Sequence, residues 1–228
     1  MNINTDDQYE TELEFVNDFE LFLNKSSNNN FGRIREFEGG FGRPDMLLHS
    51  LPLLDASIDI QTLARINPRL APLLAAGIAA KIRSIEDLRI ATGTTLKNAR
   101  LIARELQTLE RLTYKIDSRD LFQIKYIKQP PFQHTVSIEA KLRDWRRALI
   151  QAYRYTQFSN ESWVLIDDKY VKPALDNSKL FKAYGIGLAS FSKNRSLYIQ
   201  IKAKYRKWSN STLAWRSQAL LSQSILKD

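Results

Sequence analysis

The sequence predicts an α/β protein: a mixed sheet flanked by helices, interrupted by a small inserted α+β domain. Three observations carry this prediction. Short runs of alternating or continuous apolar residues, the mark of strands, occur at 31–38, 42–49, 135–143, 162–166 and 187–191. Helical periodicity marks 8–24 and 144–158. Between the second and third strands, 51–129 turns mostly helical with its own turn residues. The expected division is therefore 1–50 as the first part of a core, 51–129 as an insert, and 130–228 as the second part of the core.

In chain order, Phe15, Val16, Phe19 and Leu23 line one face of the first helix, and the polar run Ser26-Ser27-Asn28-Asn29-Asn30 ends it. A strand over 31–38, a Gly39-Gly40 turn and a strand over 42–49 form a hairpin. Within the insert, 68–82 reads as an apolar helix, and 84–88 as a short helix with Ser84 followed three residues on by Asp87. A turn at 92–95 leads to a longer helix, 95–111, with Ala99, Ile102, Leu106 and Leu109 on its apolar side. Lys97, Arg100, Arg104, Gln107 and Arg111 lie on the other side. Segments 112–117 and 121–127 read as a hairpin, and Gln129-Pro130-Pro131 as a stiff linker. Asp144 caps the helix that follows the third core strand; its buried stripe is Trp145, Ala148, Leu149, Ala152 and Thr156. Segment 162–166 is apolar throughout, as a central strand is. A helix over 173–184, a strand over 187–191 and an alternating strand over 197–206 follow, the last with Tyr198, Lys202, Lys204 and Arg206 on one face. A final helix, 211–226, is expected to pack through Leu213, Leu220 and Ile225.

Composition narrows the chemistry. The chain has 228 residues, with 34 Lys+Arg against 25 Asp+Glu and a formal net charge of +9, which favours a polyanionic partner. It has no cysteine, which excludes disulfides, thiolate metal sites and a cysteine nucleophile. Two histidines, His49 and His134, are too few for a histidine-rich metal site. The longest apolar run, 70–80, is too short to span a bilayer, and the opening residues are polar and acidic, unlike a signal peptide. A cytoplasmic protein, nucleoid-associated if bacterial, is the expectation, with no membrane partner.

The candidate site begins with Thr135-Val136-Ser137-Ile138-Glu139-Ala140-Lys141-Leu142-Arg143. Its period of two puts Glu139 and Lys141 on one face of the strand. The earlier strand opens with Pro44-Asp45. Gln151 and Tyr155 lie four apart on the helix after the Glu-x-Lys strand. Taken singly, each has a bland alternative: a surface ion pair, a turn aspartate, a solvated helix face. In this order on these elements, and with the insert removed, they resemble the PD-(D/E)xK nuclease superfamily, whose core is restriction-endonuclease-like. The Gln151 and Tyr155 pair resembles the Q-x-x-x-Y signature of its exonuclease branch. The resemblance covers the chain except the insert, at motif level. It implies a Mg2+-dependent deoxyribonuclease, with Mn2+ able to substitute. Asp45 and Glu139 would supply carboxylates to the metal, the Ala140 carbonyl a third oxygen, and Lys141 would hold the attacking water. Glu12 is the expected helix-borne glutamate, with Glu14 and Glu20 as rivals.

Helix, helix, turn, helix and hairpin is the order of a winged helix-turn-helix, which 85–116 resembles. That resemblance implies DNA contacts from Lys97, Arg100 and Arg104 on the second helix and from Arg119 on the wing. Lys202, Lys204 and Arg206 are expected to add phosphate contacts. Double-stranded DNA is the expected partner, and one active site per chain suggests a homodimer for cutting both strands. Two rival readings stay open: a winged-helix regulator with an inactive nuclease fold, and the cleavage subunit of a transposition or recombination complex.

Overall fold

The computed structural model describes residues 8–26, 31–53, 58–109, 113–114, 123–124, 127, 129–208 and 211–227. In chain order, helix α1 (Glu12–Ser26) leads into strands β1 (Phe31–Arg35) and β2 (Met46–Ser50). Helix α2 (Ile60–Arg65), a 3-10 turn (Ala71–Leu74) and helices α3 (Ala76–Ala79), α4 (Ile85–Thr92) and α5 (Leu96–Gln107) follow. Next come the short strands β3 (Thr113–Tyr114) and β4 (Gln123–Ile124), then β5 (Thr135–Lys141), α6 (Trp145–Tyr155) and β6 (Glu161–Asp167). Helices α7 (Lys172–Asp176) and α8 (Ser178–Tyr184), strands β7 (Gly187–Phe191) and β8 (Leu197–Ile201), and α9 (Thr212–Ile225) complete the chain.

These elements form two compact units, Met1–Leu51 with His134–Trp208, and Pro52–Gln133 with Ser209–Asp228. The first holds a six-stranded mixed sheet in the order β1-β2-β5-β6-β7-β8. β1, β2 and β5 run antiparallel, β5-β6-β7 parallel, and β8 returns antiparallel. Helices lie on both faces. On one, Trp145, Ala148, Leu149 and Ala152 of α6 pack with Phe181 of α8 over Val164, Ile166 and Leu188. On the other, Phe15, Val16 and Phe19 of α1 pack over Met46, Ile138, Ala140, Leu165 and Phe191. The central strand β6 is buried along most of its length, as its apolar run requires.

His49 sits where β2 pairs with β5, opposite Thr135, with its ring against Gly32; a Cβ at Gly32 would lie 2.3 Å from that ring. Burial disfavours the imidazolium and pushes the His49 pKa down. Below about pH 6.5 the unfolded chain therefore takes up a proton that the folded chain refuses, and stability falls with pH. Urea unfolding of the wild type should lose midpoint between pH 7.5 and 5.5, and His49→Gln should flatten that dependence.

In the second unit, Ser84 caps α4 by accepting from Asp87 N, and Thr95 caps α5 by accepting from Asn98 N. Gly93, at φ +62°, turns the chain between them, a left-handed conformation that glycine adopts without strain. β3 and β4 form a two-stranded antiparallel ladder, Thr113 opposite Ile124.

Several expectations are corrected. The expected helix over 68–82 is a 3-10 turn and one short helical turn, with Pro72 inside the former, and α2 before it had no place in the sequence reading. The helix expected over 173–184 breaks at Asn177 into α7 and α8. Only 197–201 of the expected 197–206 strand pairs in the sheet. The final helix, expected in the core, belongs with the second unit. It packs through Ala214, Trp215, Gln218 and Leu221, one position away from the leucines expected to be buried. The Gln218 side chain accepts from Phe132 N and donates to Phe132 O, and Gln223 Nε2 donates to the Ala64 and Ile66 carbonyls at the end of α2.

Candidate active site

The antiparallel register that puts Met46 opposite Ile138 places Asp45 beside Glu139, at the same end of the sheet as the last residue of β5, Lys141. Asp45 is anchored by the main chain: its Oδ2 accepts from Ala140 N at 2.7 Å. Lys141 Nζ lies 3.2 Å from Glu139 Oε1, 3.0 Å from Glu12 Oε2 and 3.9 Å from Asp45 Oδ2, and donates to the Ala140 carbonyl at 3.0 Å. Glu12, the first residue of α1, thus joins the cluster through the ammonium. Glu14 pairs with Lys193, and Glu20 with Arg35.

Glu139 is only 1% exposed. Tyr155 OH lies 2.7 Å from its Oε2 and 3.0 Å from the Arg43 carbonyl. Burial, then the carboxylate of Glu139, pushes the Tyr155 phenol far up, so it stays protonated and serves as a donor. Gln151, one turn earlier on the same face of α6, interacts with the Tyr155 hydroxyl. Its Oε1 is buried and has no hydrogen-bond partner among the described residues.

Electrostatics follow from three carboxylates around one cation. Burial, opposed by the Ala140 amide and by Lys141, pushes the Asp45 carboxyl up. Burial and then the charge of Asp45 push Glu139 up. For Lys141, burial works against the charged form, but Asp45, Glu139 and Glu12 together outweigh it and raise the pKa. Lys141 is therefore a fixed cation, and the buried Glu139 and half-buried Asp45 are short of positive charge.

The loop before β2 is shaped by glycine. Gly39 N donates to the Gly42 carbonyl at 3.1 Å, and Gly42 has φ +124°. A Cβ there would lie 2.7 Å from the Tyr155 ring. Gly42→Ala should therefore cost about 2 kcal/mol of stability and displace Asp45 or Tyr155. Chemical denaturation would register the change.

Two carboxylates and a carbonyl are hard oxygen donors, and Mg2+ commonly takes one or two protein carboxylates and keeps several waters. Asp45, Glu139 and the Ala140 carbonyl fit such an ion. Among the described residues no group of three or more histidine, cysteine, aspartate or glutamate side chains is placed to hold a metal ion.

The expected nucleic-acid contacts divide. Lys97, Arg100 and Arg104 share the exposed side of α5, whose buried side is Ala99, Ala103 and Leu106. Lys202 and Lys204 are exposed. Arg206 is occupied instead: its guanidinium donates to the carbonyls of Tyr184, Gly185 and Lys204 and closes the C-terminal end of α8. Arg119 lies outside the described residues. The sequence reading passed over Arg143, which continues the strand's period of two beyond Glu139 and Lys141. Arg143 Nη2 donates to Tyr170 OH at 2.6 Å, and the residue lines a cleft of about 680 Å³ with Gln8, Glu12 and Asp144.

Comparison of the chain with protein-family models, with curated proteins and with solved structures gives no match.

Proposed function

We propose that this chain is a Mg2+-dependent DNA endonuclease of the PD-(D/E)xK type, with an inserted DNA-reading domain of winged-helix kind. The observation that carries the reading is the meeting of Asp45, Glu139 and Lys141 at one end of the sheet. Tyr155 holds Glu139, the Ala140 amide holds Asp45, and Glu12 lies on the ammonium. An ordinary surface ion pair needs neither a carboxylate that is 1% exposed nor two further acids around one lysine.

Hydrolysis of a phosphodiester forms a bond from a water oxygen to phosphorus and breaks the bond to one ester oxygen, which leaves with a proton. Lys141 Nζ, beside the Asp45 and Glu139 carboxylates, would orient the attacking water by hydrogen bonding and face the charge that builds on the phosphoryl oxygens. Tyr155 and the Ala140 amide keep the two acids aimed, so little reorganisation is needed as charge moves. When bound to Asp45, Glu139 and the Ala140 carbonyl, the metal supplies Lewis acidity to the phosphate and lowers the pKa of a coordinated water. The exposed Lys97, Arg100 and Arg104 on α5, with the net charge of +9, support a polyanionic duplex as substrate.

The test is cleavage of supercoiled plasmid in Mg2+, Mn2+ or EDTA by the wild type and by Asp45→Ala and Lys141→Ala. The reading expects metal-dependent cutting that both variants lose while retaining DNA binding. Tight binding with no cutting of plasmid, single-stranded or branched DNA would count against it.

A further inference from the structure

The helices α6 and α8 bring together a surface that the nuclease site does not use. Tyr153 and Tyr184 place their ring centroids 5.1 Å apart, tilted at 54°. They are 47% and 45% exposed, and Ile150, one turn before Tyr153, is 58% exposed. α6 carries the exposed Arg146, Arg147 and Arg154, with Arg146 two turns before Tyr153 on the same side, and α8 carries the exposed Lys179 and Lys182; neither helix carries an acid. The Arg206 guanidinium, donating to the Tyr184 carbonyl, holds the end of α8 and brings the exposed Lys204 beside it.

We propose that this face binds single-stranded nucleic acid: bases stack on Tyr153 and Tyr184 while the cations take the phosphates. Exposed aromatic rings on helices that carry exposed cations and no acid match a polyanion that also presents flat apolar groups. A duplex offers only phosphates and groove edges to such a surface, since its base faces are stacked inside. A second copy of this chain, paired symmetrically, would set the same cations against each other. The proposal rests on the nucleic-acid reading above and deepens it. The substrate carries a single-stranded segment, as a flap, overhang or branch does, and α6 presents that strand on the side opposite the one bearing Tyr155.

The experiment measures fluorescence anisotropy of labelled oligodeoxythymidine or oligouridine of about 16 nucleotides, and of a duplex of equal length, in EDTA. Tyr153→Ala and Tyr184→Ala should each weaken single-strand binding by between about 5-fold and 100-fold, whereas the Phe variants bind as the wild type does. Lys204→Ala should reduce the salt dependence, and duplex affinity should not change with either tyrosine. The relative affinity of the two oligonucleotides says whether the strand is DNA or RNA. Wild-type affinity in both alanine variants would overturn the proposal, as would equal losses on duplex. A self-associated species in sedimentation that dissolves in these variants while single-strand binding persists would make the face a protein interface, and also overturn it. Binding is read without metal, so a failure to cleave leaves the strand surface standing, and a failure of the tyrosines leaves the active site standing.

Discussion

Lys141→Ala should lower the rate of metal-dependent cleavage by about 10²–10³-fold, the usual cost of removing one preorganised charge donor from a transition state. The structure gives the reason. Lys141 is the ammonium beside Asp45 and Glu139, and it is held by Glu12 and the Ala140 carbonyl in one position. Its three carboxylate neighbours keep it charged despite burial. Arginine is a poor substitute here: its planar fork cannot occupy the place of a compact ammonium between Glu12 and Glu139. Lys141→Arg should therefore recover little of the rate. The alanine variant also leaves Glu139 buried without its cation, which raises the free energy of the ionised folded state. Single-turnover cleavage with saturating enzyme, read beside DNA affinity, separates a lost chemical step from lost binding. A Lys141→Ala enzyme that cuts within a few-fold of the wild type would remove the lysine from the mechanism.

Much of this geometry is legible in the sequence because it depends on local periods. A period of two sets Glu139 and Lys141 on one face, and a spacing of four sets Gln151 and Tyr155 on one side of a helix. Apolar residues at +3, +4 and +7 from Glu12 place it at the edge of the buried side of α1. What local pattern does not carry is contact between distant segments. The Tyr153 and Tyr184 pair joins helices separated in the chain by β6 and α7, and nothing near either residue announces it. Arg206 reads as one more exposed cation of an alternating strand, but two carbonyls at the end of α8 and that of Lys204 claim it. The apolar run before Ile82 reads as one helix by composition, yet Pro72 lacks the amide that a helix interior needs. In α9, alternative apolar stripes lie one residue apart; Trp215 and Leu221, with the Gln218 link to Phe132, settle which is buried.

Asp45→Asn should separate catalysis from stability, lowering cleavage by at least about 10²-fold while raising stability by about 1 kcal/mol. The amide is isosteric and its oxygen can still accept from Ala140 N, so the loop before β2 keeps its anchor. The change is in charge. Burial lifts the Asp45 carboxyl above its ordinary value even with Lys141 nearby, and Asp45 in turn lifts Glu139. A carboxyl whose pKa is higher folded than unfolded contributes most below its unfolded value, and that contribution is lost as pH rises through the folded value. At neutral pH the ionised pair therefore costs stability, and neutralising Asp45 removes part of the cost. The melting temperature of the variant should exceed that of the wild type by a few degrees near pH 7, and the gap should close on acidification toward the carboxylate range. Mg2+ in EDTA-free buffer should reverse the order by raising the melting temperature of the wild type, whose two carboxylates can hold it, and leaving Asp45→Asn unmoved. A variant less stable than the wild type at neutral pH would mean that the Asp45 charge is already compensated in the folded chain. Equal Mg2+ stabilisation of both proteins would move the metal away from Asp45.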